Sequence, residues 1–211
     1  MRRFGLVALM AGLFGFVLPI SAQEAADKPK EKLEHTDAEK AAMAEIRKLG
    51  GHVMELAQTD PHLEVAYHLT DGDVGDDHLK PLANMPLLVS VNLRGTKITN
   101  AGLAHLKGVK SLKRLHLEKT TVTDEGLAFL AGLENLEYLN LYGTKITDEG
   151  LQHLASLKKL KKLYLWQTNV SESGVQTLKT ALPALEVDTG IEEAAIKAFT
   201  AVTEENTESV N

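Results

Sequence analysis

The sequence predicts an α/β solenoid, a right-handed coil with a parallel sheet on its concave side and helices on its convex side. Three observations carry this expectation. Apolar residues, glycines and threonines recur every 24 positions through the middle of the 211-residue chain. Within each period an alternating stretch is followed by one with helical spacing. The composition, 44% hydrophobic and 25% charged, is that of a chain able to bury a core. A fixed period of this length implies stacking, because one such unit cannot bury its own leucines.

The chain opens on an address. Residues 1–22 have the pattern of a secretory leader: Arg2 and Arg3, an apolar run broken by Gly5, Gly12, Gly15 and Pro19, and the small pair Ser21-Ala22 for cleavage. The alternative is an uncleaved anchor, for which the run is at the lower limit of bilayer-spanning length. Cleavage would leave no membrane span and place the protein in the periplasm or outside the cell. The chain has no cysteine, which excludes a disulfide scaffold, a thiolate metal site and a cysteine nucleophile. Residues 23–35 are charged, contain Pro29 and predict a disordered linker.

An N-terminal cap is expected over 36–61. Thr36-Asp37-Ala38-Glu39 has the form of a capping box. It predicts a helix over 37–49 with Ala41, Ile46 and Leu49 facing inward, stopped by Gly50-Gly51. Strands are predicted over 52–56 and 63–69, around a turn at Thr59-Asp60-Pro61.

About five 24-residue units follow over 62–190. Leu93, Leu117, Leu141 and Leu165 form one column; Val91, Leu115, Leu139 and Leu163 another. Ile98, Val122, Ile146 and Val170 keep the period, as do Gly102, Gly126, Gly150 and Gly174, and Leu106, Leu130, Leu154 and Leu178. Thr96, Thr120, Thr144 and Thr168 mark the turn after each strand. A degenerate first copy uses Leu69, Val74, Leu79, Leu82 and Met85, with Gly72 at the threonine position and His78 at the glycine. Thr123-Asp124-Glu125 supplies an N-cap and two acids for the first helical turn, and Thr147-Asp148-Glu149 repeats it. The repeated glycine implies close packing.

The pattern L-x-x-L-x-L-x-x-T-x-[IV]-[TS]-[DNE]-x-G-[LV]-x-x-L resembles the leucine-rich repeat family, over about 63–190. It is similar to the ribonuclease-inhibitor-like and cysteine-containing classes, with threonine where cysteine often stands. A buried threonine hydroxyl can hydrogen-bond the turn backbone, so the same fold is expected. With the leader, the resemblance extends to bacterial exported proteins of this family. It implies a non-catalytic module for protein binding. Some relatives carry haem domains, but this chain has no C-x-x-C-H, and no cofactor is expected.

The last strand is predicted over 183–187. Ile191, Ala195, Phe199 and Val202 fall on one face of a helix that either covers the final repeat or docks on another protein. Residues 204–211 form a tail.

Alternation along the strands turns three columns outward: Ala66, Ser90, Arg114, Tyr138 and Lys162; His68, Asn92, His116, Asn140 and Tyr164; Thr70, Arg94, Glu118, Tyr142 and Trp166. Beyond the leader there are seven aromatic residues, and Tyr138, Tyr142, Tyr164 and Trp166 all fall outward on two adjacent strands. Exposed aromatic patches mark interaction sites, and Tyr, Trp and Arg dominate binding hot spots. The candidate partner-binding set is therefore Arg94, Arg114, His116, Tyr138, Asn140, Tyr142, Tyr164 and Trp166. The alternatives are glycan binding at the cell envelope, since aromatic faces stack on sugars, and rings that the C-terminal helix covers. His116 and Glu118 resemble an acid–base pair of a hydrolase, with no nucleophile beside them.

A net charge of −6 argues against a nucleic-acid surface. The acidic stretch 71–77 lacks EF-hand spacing and predicts a solvated turn. His68 and His116 share a column two strands apart, too far for one metal ion. Lys158, Lys159, Lys161 and Lys162 form a basic cluster on a solvated turn, where they could steer an acidic partner.

Overall fold

A computed structural model describes residues 34–190, apart from 58, 59 and 71. The leader, most of the linker, the helix expected near 191–202 and the tail lie outside the described residues. No helix among the described residues is long and apolar enough to cross a membrane.

Helix α1 (Asp37–Lys48) opens the described chain. The Thr36 hydroxyl accepts the Glu39 N–H at 3.1 Å, as half of a capping box requires. The other half is absent. The Glu39 side chain is fully buried and accepts the Leu87 N–H at 3.0 Å and a hydrogen bond from His35 Nδ1 at 2.9 Å. It ties the helix to the first repeat rather than closing on its own cap. This rotates the inward stripe to Glu39, Ala42 and Ile46, so Ala41 is exposed and Leu49 half-buried. Gly50 takes φ +84 just past the helix, the left-handed conformation that ends it.

Strands β1 (His52–Ala57) and β2 (Asp60–Ala66) form an antiparallel hairpin. Asp60 and Pro61, expected in the turn, begin β2. From β2 onward the pairing is parallel: β3 (Leu88–Asn92), β4 (Arg114–His116), β5 (Tyr138–Asn140), β6 (Lys162–Tyr164) and β7 (Glu186–Asp188) follow in chain order in one open seven-stranded sheet. A 3₁₀ segment (Asp76–Asn84) and helices α2 (Asn100–Ala104), α3 (Asp124–Leu127), α4 (Asp148–Gln152) and α5 (Glu172–Ala181) alternate with the strands. The result is an α/β solenoid with the strands on one side and the helices on the other. Between the layers lies a continuous row of buried leucine, valine and isoleucine. The last strand begins at Glu186, because Pro183 and Ala184 are taken up in the turn before it.

The first unit departs from the period. Val65 pairs with Val91 and Ala66 with Asn92, a spacing of 26 rather than 24. Tyr67 is thereby buried at the position of Leu93, its hydroxyl donating to the His78 carbonyl at 2.6 Å. Burial pushes its phenol pKa well above the usual value. Leu69, expected in the core, is 60% exposed. The turn position belongs to Thr70, not Gly72: Thr70 N–H donates to Tyr67 O as Thr96 N–H donates to Leu93 O. The two extra residues lie in the acidic loop before Val74, after which Val74, Leu79, Leu82 and Met85 are buried in the expected register.

Each turn threonine closes its own turn. The hydroxyls of Thr96, Thr120, Thr144 and Thr168 donate to the carbonyls of Leu93, Leu117, Leu141 and Leu165 at 2.6–2.8 Å. Successive repeats are then locked by a second column. Asp76 accepts from the Thr99 N–H and hydroxyl, Asp124 from those of Thr147, and Asp148 from those of Ser171, all at 2.6–2.9 Å. Asn100 fills the same rung by accepting the Thr123 N–H and donating to its hydroxyl. That occupies the Thr123 oxygen, which donates to Glu125 and makes no cap bond to the backbone of its own helix.

The glycine column follows from this ladder. A Cβ at Gly102, Gly126, Gly150 or Gly174 would strike the Asp76, Asn100, Asp124 or Asp148 side chain reaching over from the preceding repeat. The first unit has no preceding rung, so His78 is tolerated there.

Candidate partner-binding face

The sheet face turned away from the helices holds the candidate residues. Leu115, Leu139 and Leu163 bury the centres of β4, β5 and β6, so the residues on either side turn outward. One row runs Ser90, Arg114, Tyr138, Lys162 and Glu186; the next runs Asn92, His116, Asn140, Tyr164 and Asp188. The slip in the first unit replaces the expected Ala66 and His68 by Glu64 and Ala66 at the heads of these rows. His68 moves beside Arg94 and Thr70 leaves the face for the turn. Ser90 and Ala66 are buried despite their outward positions.

A third row continues past the strand ends. Lys119 N–H donates to Tyr142 O and Gly143 N–H to Trp166 O, at 2.8 and 2.9 Å, so Glu118, Tyr142 and Trp166 follow one another. The turn after each strand holds this row in place. Lys119 has φ +55, and Gly95 and Gly143 hold the equivalent positions with φ +71 and +68.

The four rings divide into two pairs. Tyr142 stacks on Trp166 with centroids 5.3 Å apart and planes 30° from parallel. Tyr138 tilts against Tyr164 at 5.3 Å and against the His116 imidazole at 4.8 Å. Each pair has a cation over one ring: the Arg114 guanidinium carbon is 5.6 Å from the Tyr138 centroid, and Lys119 Nζ is 5.5 Å from that of Tyr142. Asn140 braces the centre, accepting the Tyr142 N–H at 3.0 Å and approaching the Tyr138 hydroxyl at 3.4 Å. Burial of the ring raises the Tyr138 phenol pKa above its ordinary value. Trp166 is the open end of the array at 52% exposed, and Gly190, where a Cβ would strike the indole, lies against it.

Glu118 is not the outward group expected from alternation. It is buried, with Oε1 2.9 Å from His116 Nδ1. This is the His116 ring's one hydrogen bond among the described residues, so the pair has the geometry of an oriented imidazole without a hydroxyl at its other nitrogen. Arg94 is exposed, and its N–H is held by Asn92 Oδ1 at 3.1 Å.

Away from this face the charged stretches are engaged locally. Asp73 binds Lys97 at 2.5 Å, Asp76 binds Thr99, and Asp77 binds Lys80 at 2.7 Å. No group of three or more His, Asp or Glu among the described residues is arranged to hold a metal ion. The lysine cluster links repeats: Lys158 reaches the Ala181 carbonyl, Lys159 the Asn135 side chain and Lys161 Glu137, at 3.2, 2.7 and 2.6 Å. The sequence signal for the Asp ladder was the repeated D-E-G itself. Its partner in the next unit was not visible from one unit's chemistry.

The family model described as Leucine Rich repeat matches residues 110–131 and 132–155. Among solved structures, internalin C2 from Listeria monocytogenes is 25% identical at a TM-score of 0.42, over 58% of this chain and 59% of that one. A leucine-rich-repeat protein from Leptospira interrogans is 21% identical at 0.38, over 52% and 33%. The ectodomain of the receptor kinase SOBIR1 from Arabidopsis thaliana is 17% identical at 0.47, over 74% and 93%. The chain spans less than two thirds of the first two. No curated protein matches the sequence.

Proposed function

Because the chain belongs to the leucine-rich-repeat proteins, we propose that it is an exported, non-catalytic module that binds a protein partner through its concave aromatic face. The observation that carries this reading is the paired array of Tyr138, Tyr164, Tyr142 and Trp166, with Arg114 and Lys119 over its rings. Stacked rings lose little rotamer freedom on binding and offer large apolar area, which is what an interface anchor needs. Trp166 and Tyr142 form the anchor, and Arg94 and Arg114 set the register of the partner along the strands. Removing such an anchor costs about 2 kcal/mol or more of binding energy.

A pull-down from cell-envelope extract tests the reading, with the protein as bait and a Tyr142→Ala/Trp166→Ala variant of unchanged melting as control. A protein retained by the parent and lost with the variant supports it. Equal retention by both places binding elsewhere. If neither retains a protein while oligosaccharides quench Trp166 fluorescence, the face is a glycan site instead. Turnover abolished by His116→Ala, with binding intact, would overturn the non-catalytic part.

A further inference from the structure

The two edges of the sheet are defended unequally. β7 has three residues, and two of them, Glu186 and Asp188, are exposed carboxylates. Short length and charge are devices that keep an edge strand from pairing with another chain. β1 has six residues, with Glu55 as its one acidic side chain and neither lysine nor proline. It exposes Met54 (49%) and Leu56 (51%), two of the four large apolar side chains exposed among the described residues. Met54 pairs with Glu64, so it lies on the open face of the sheet. Val53 packs toward the core, and Glu55 lies 3.6 Å from His35 Nε2.

The ladder fixes which backbone groups are free. Leu63 and Tyr67 donate their N–H groups toward β3, to Leu87 O and Asn92 O. The intervening Glu64 and Ala66 therefore turn their backbone groups to β1, where they face Met54 and His52. By the same alternation Val53 and Glu55 direct their N–H and C=O groups outward. Among the described residues nothing pairs with them.

We propose that a second copy of this chain pairs with β1, antiparallel, about a two-fold axis at Met54. The register is self-complementary. Val53 of each copy exchanges two backbone hydrogen bonds with Glu55 of the other, on both sides of a non-hydrogen-bonded Met54–Met54 pair. Leu56 of each copy covers His52 of the other. The irregularity in the β1–β2 ladder falls after Glu55, beyond the central bonds. Pairing β1 with β7 of another copy would not close and would propagate a filament. It would also set Glu186 and Asp188 on the open face beside Met54 and Leu56, apolar side chains that offer them no counter-charge. The two-fold arrangement joins the sheets edge to edge and sets both aromatic faces on the same side. One six-residue strand per copy is a small contact beside the standard interface of about 1,600 Å², so association is weak and concentration-dependent.

The absence of native cysteine makes the test direct. In a non-hydrogen-bonded antiparallel pair the Cα atoms are about 4.5 Å apart, within disulfide span. Mild oxidation of the full chain carrying Met54→Cys is expected to give a covalent dimer, whereas Ala83→Cys, at an exposed position on the 3₁₀ segment, stays monomeric. The parent's sedimentation mass is expected to rise toward that of a dimer with concentration. Met54→Lys/Leu56→Lys is expected to remain monomeric with the parent's circular dichroism and melting. The proposal is overturned by a parent that stays monomeric throughout the series, by M54C crosslinking no faster than A83C, or by a folded lysine variant that dimerises as the parent does. A monomeric parent with a protected M54C thiol is the result expected if residues outside 34–190 occupy this edge.

Discussion

Replacing Gly150 by alanine inside a helix would ordinarily add about 0.5–1 kcal/mol of stability through helix propensity. Here the opposite is expected. Gly150 lies within α4, and a Cβ there would overlap the Asp124 carboxylate and press on Ile146 Cγ2 at 3.1 Å. Asp124 would have to withdraw, breaking its bonds to the Thr147 N–H at 2.9 Å and the Thr147 hydroxyl at 2.6 Å. Hydrogen bonds to a charged group are worth about 1.5–3 kcal/mol each, and partial exposure puts these at the lower end. Two of them, less the propensity gain, leave a net loss of about 2 kcal/mol, or a fall in Tm of about 4–8 °C for a domain of this size. The assay is urea and thermal unfolding of four proteins: the parent, Gly150→Ala, Asp124→Ala and the double variant. Once Asp124 is gone the methyl group has room, so Gly150→Ala should become neutral or stabilising in that background. Equal cost of Gly150→Ala with and without Asp124 would refute the ladder as the reason for the glycine. Gly108→Ala is the companion control, since nothing lies within 4 Å of its Cβ position, and it should be neutral or slightly stabilising.

Other consequences are as direct. Thr144→Val keeps the shape of the turn residue but removes its 2.6 Å bond to the Leu141 carbonyl, and chemical denaturation should show a loss of about 1 kcal/mol. The hydrogen bonds from Ser171 hold the Asp148 carboxyl below the usual range, and the bond from Lys161 does the same for Glu137. Both pKa values are lowered in the folded state, so their contribution is present above the ordinary carboxylate range. It is lost as pH falls through the depressed folded values. The urea midpoint should therefore drop on acidification, and Asp148→Asn should flatten that drop. Trp166 is the chain's single tryptophan and stacks on Tyr142, so Tyr142→Leu should shift its fluorescence emission without changing far-ultraviolet circular dichroism.

The face was legible in part. Alternation places Tyr138, Tyr142, Tyr164 and Trp166 on adjacent strands because each flanks a leucine that must be buried. Their division into Tyr138–Tyr164 and Tyr142–Trp166 pairs was not legible, because ring orientation depends on neighbouring rows and on the turn at Lys119. Glu118 shows the limit of alternation: it stands at an outward position just past β4 yet is buried, its carboxylate held 2.9 Å from the His116 imidazole rather than turned to solvent.

What the sequence by itself determined is the repeat. The same residue at the same place every 24 positions makes the same contact with the unit before and after, so period, layer and core column can all be read without coordinates. The tertiary structure alone decided where that repetition breaks. A slip of two residues leaves the inward and outward parity along β2 unchanged, so alternation within the strand cannot detect it. Pairing with β3 and the burial of Tyr67 select it. The glycine column was visible as a column, but its cause lies in the Asp and Asn side chains of neighbouring units. Reach between units depends on how closely they stack, and stacking is settled by packing the whole core.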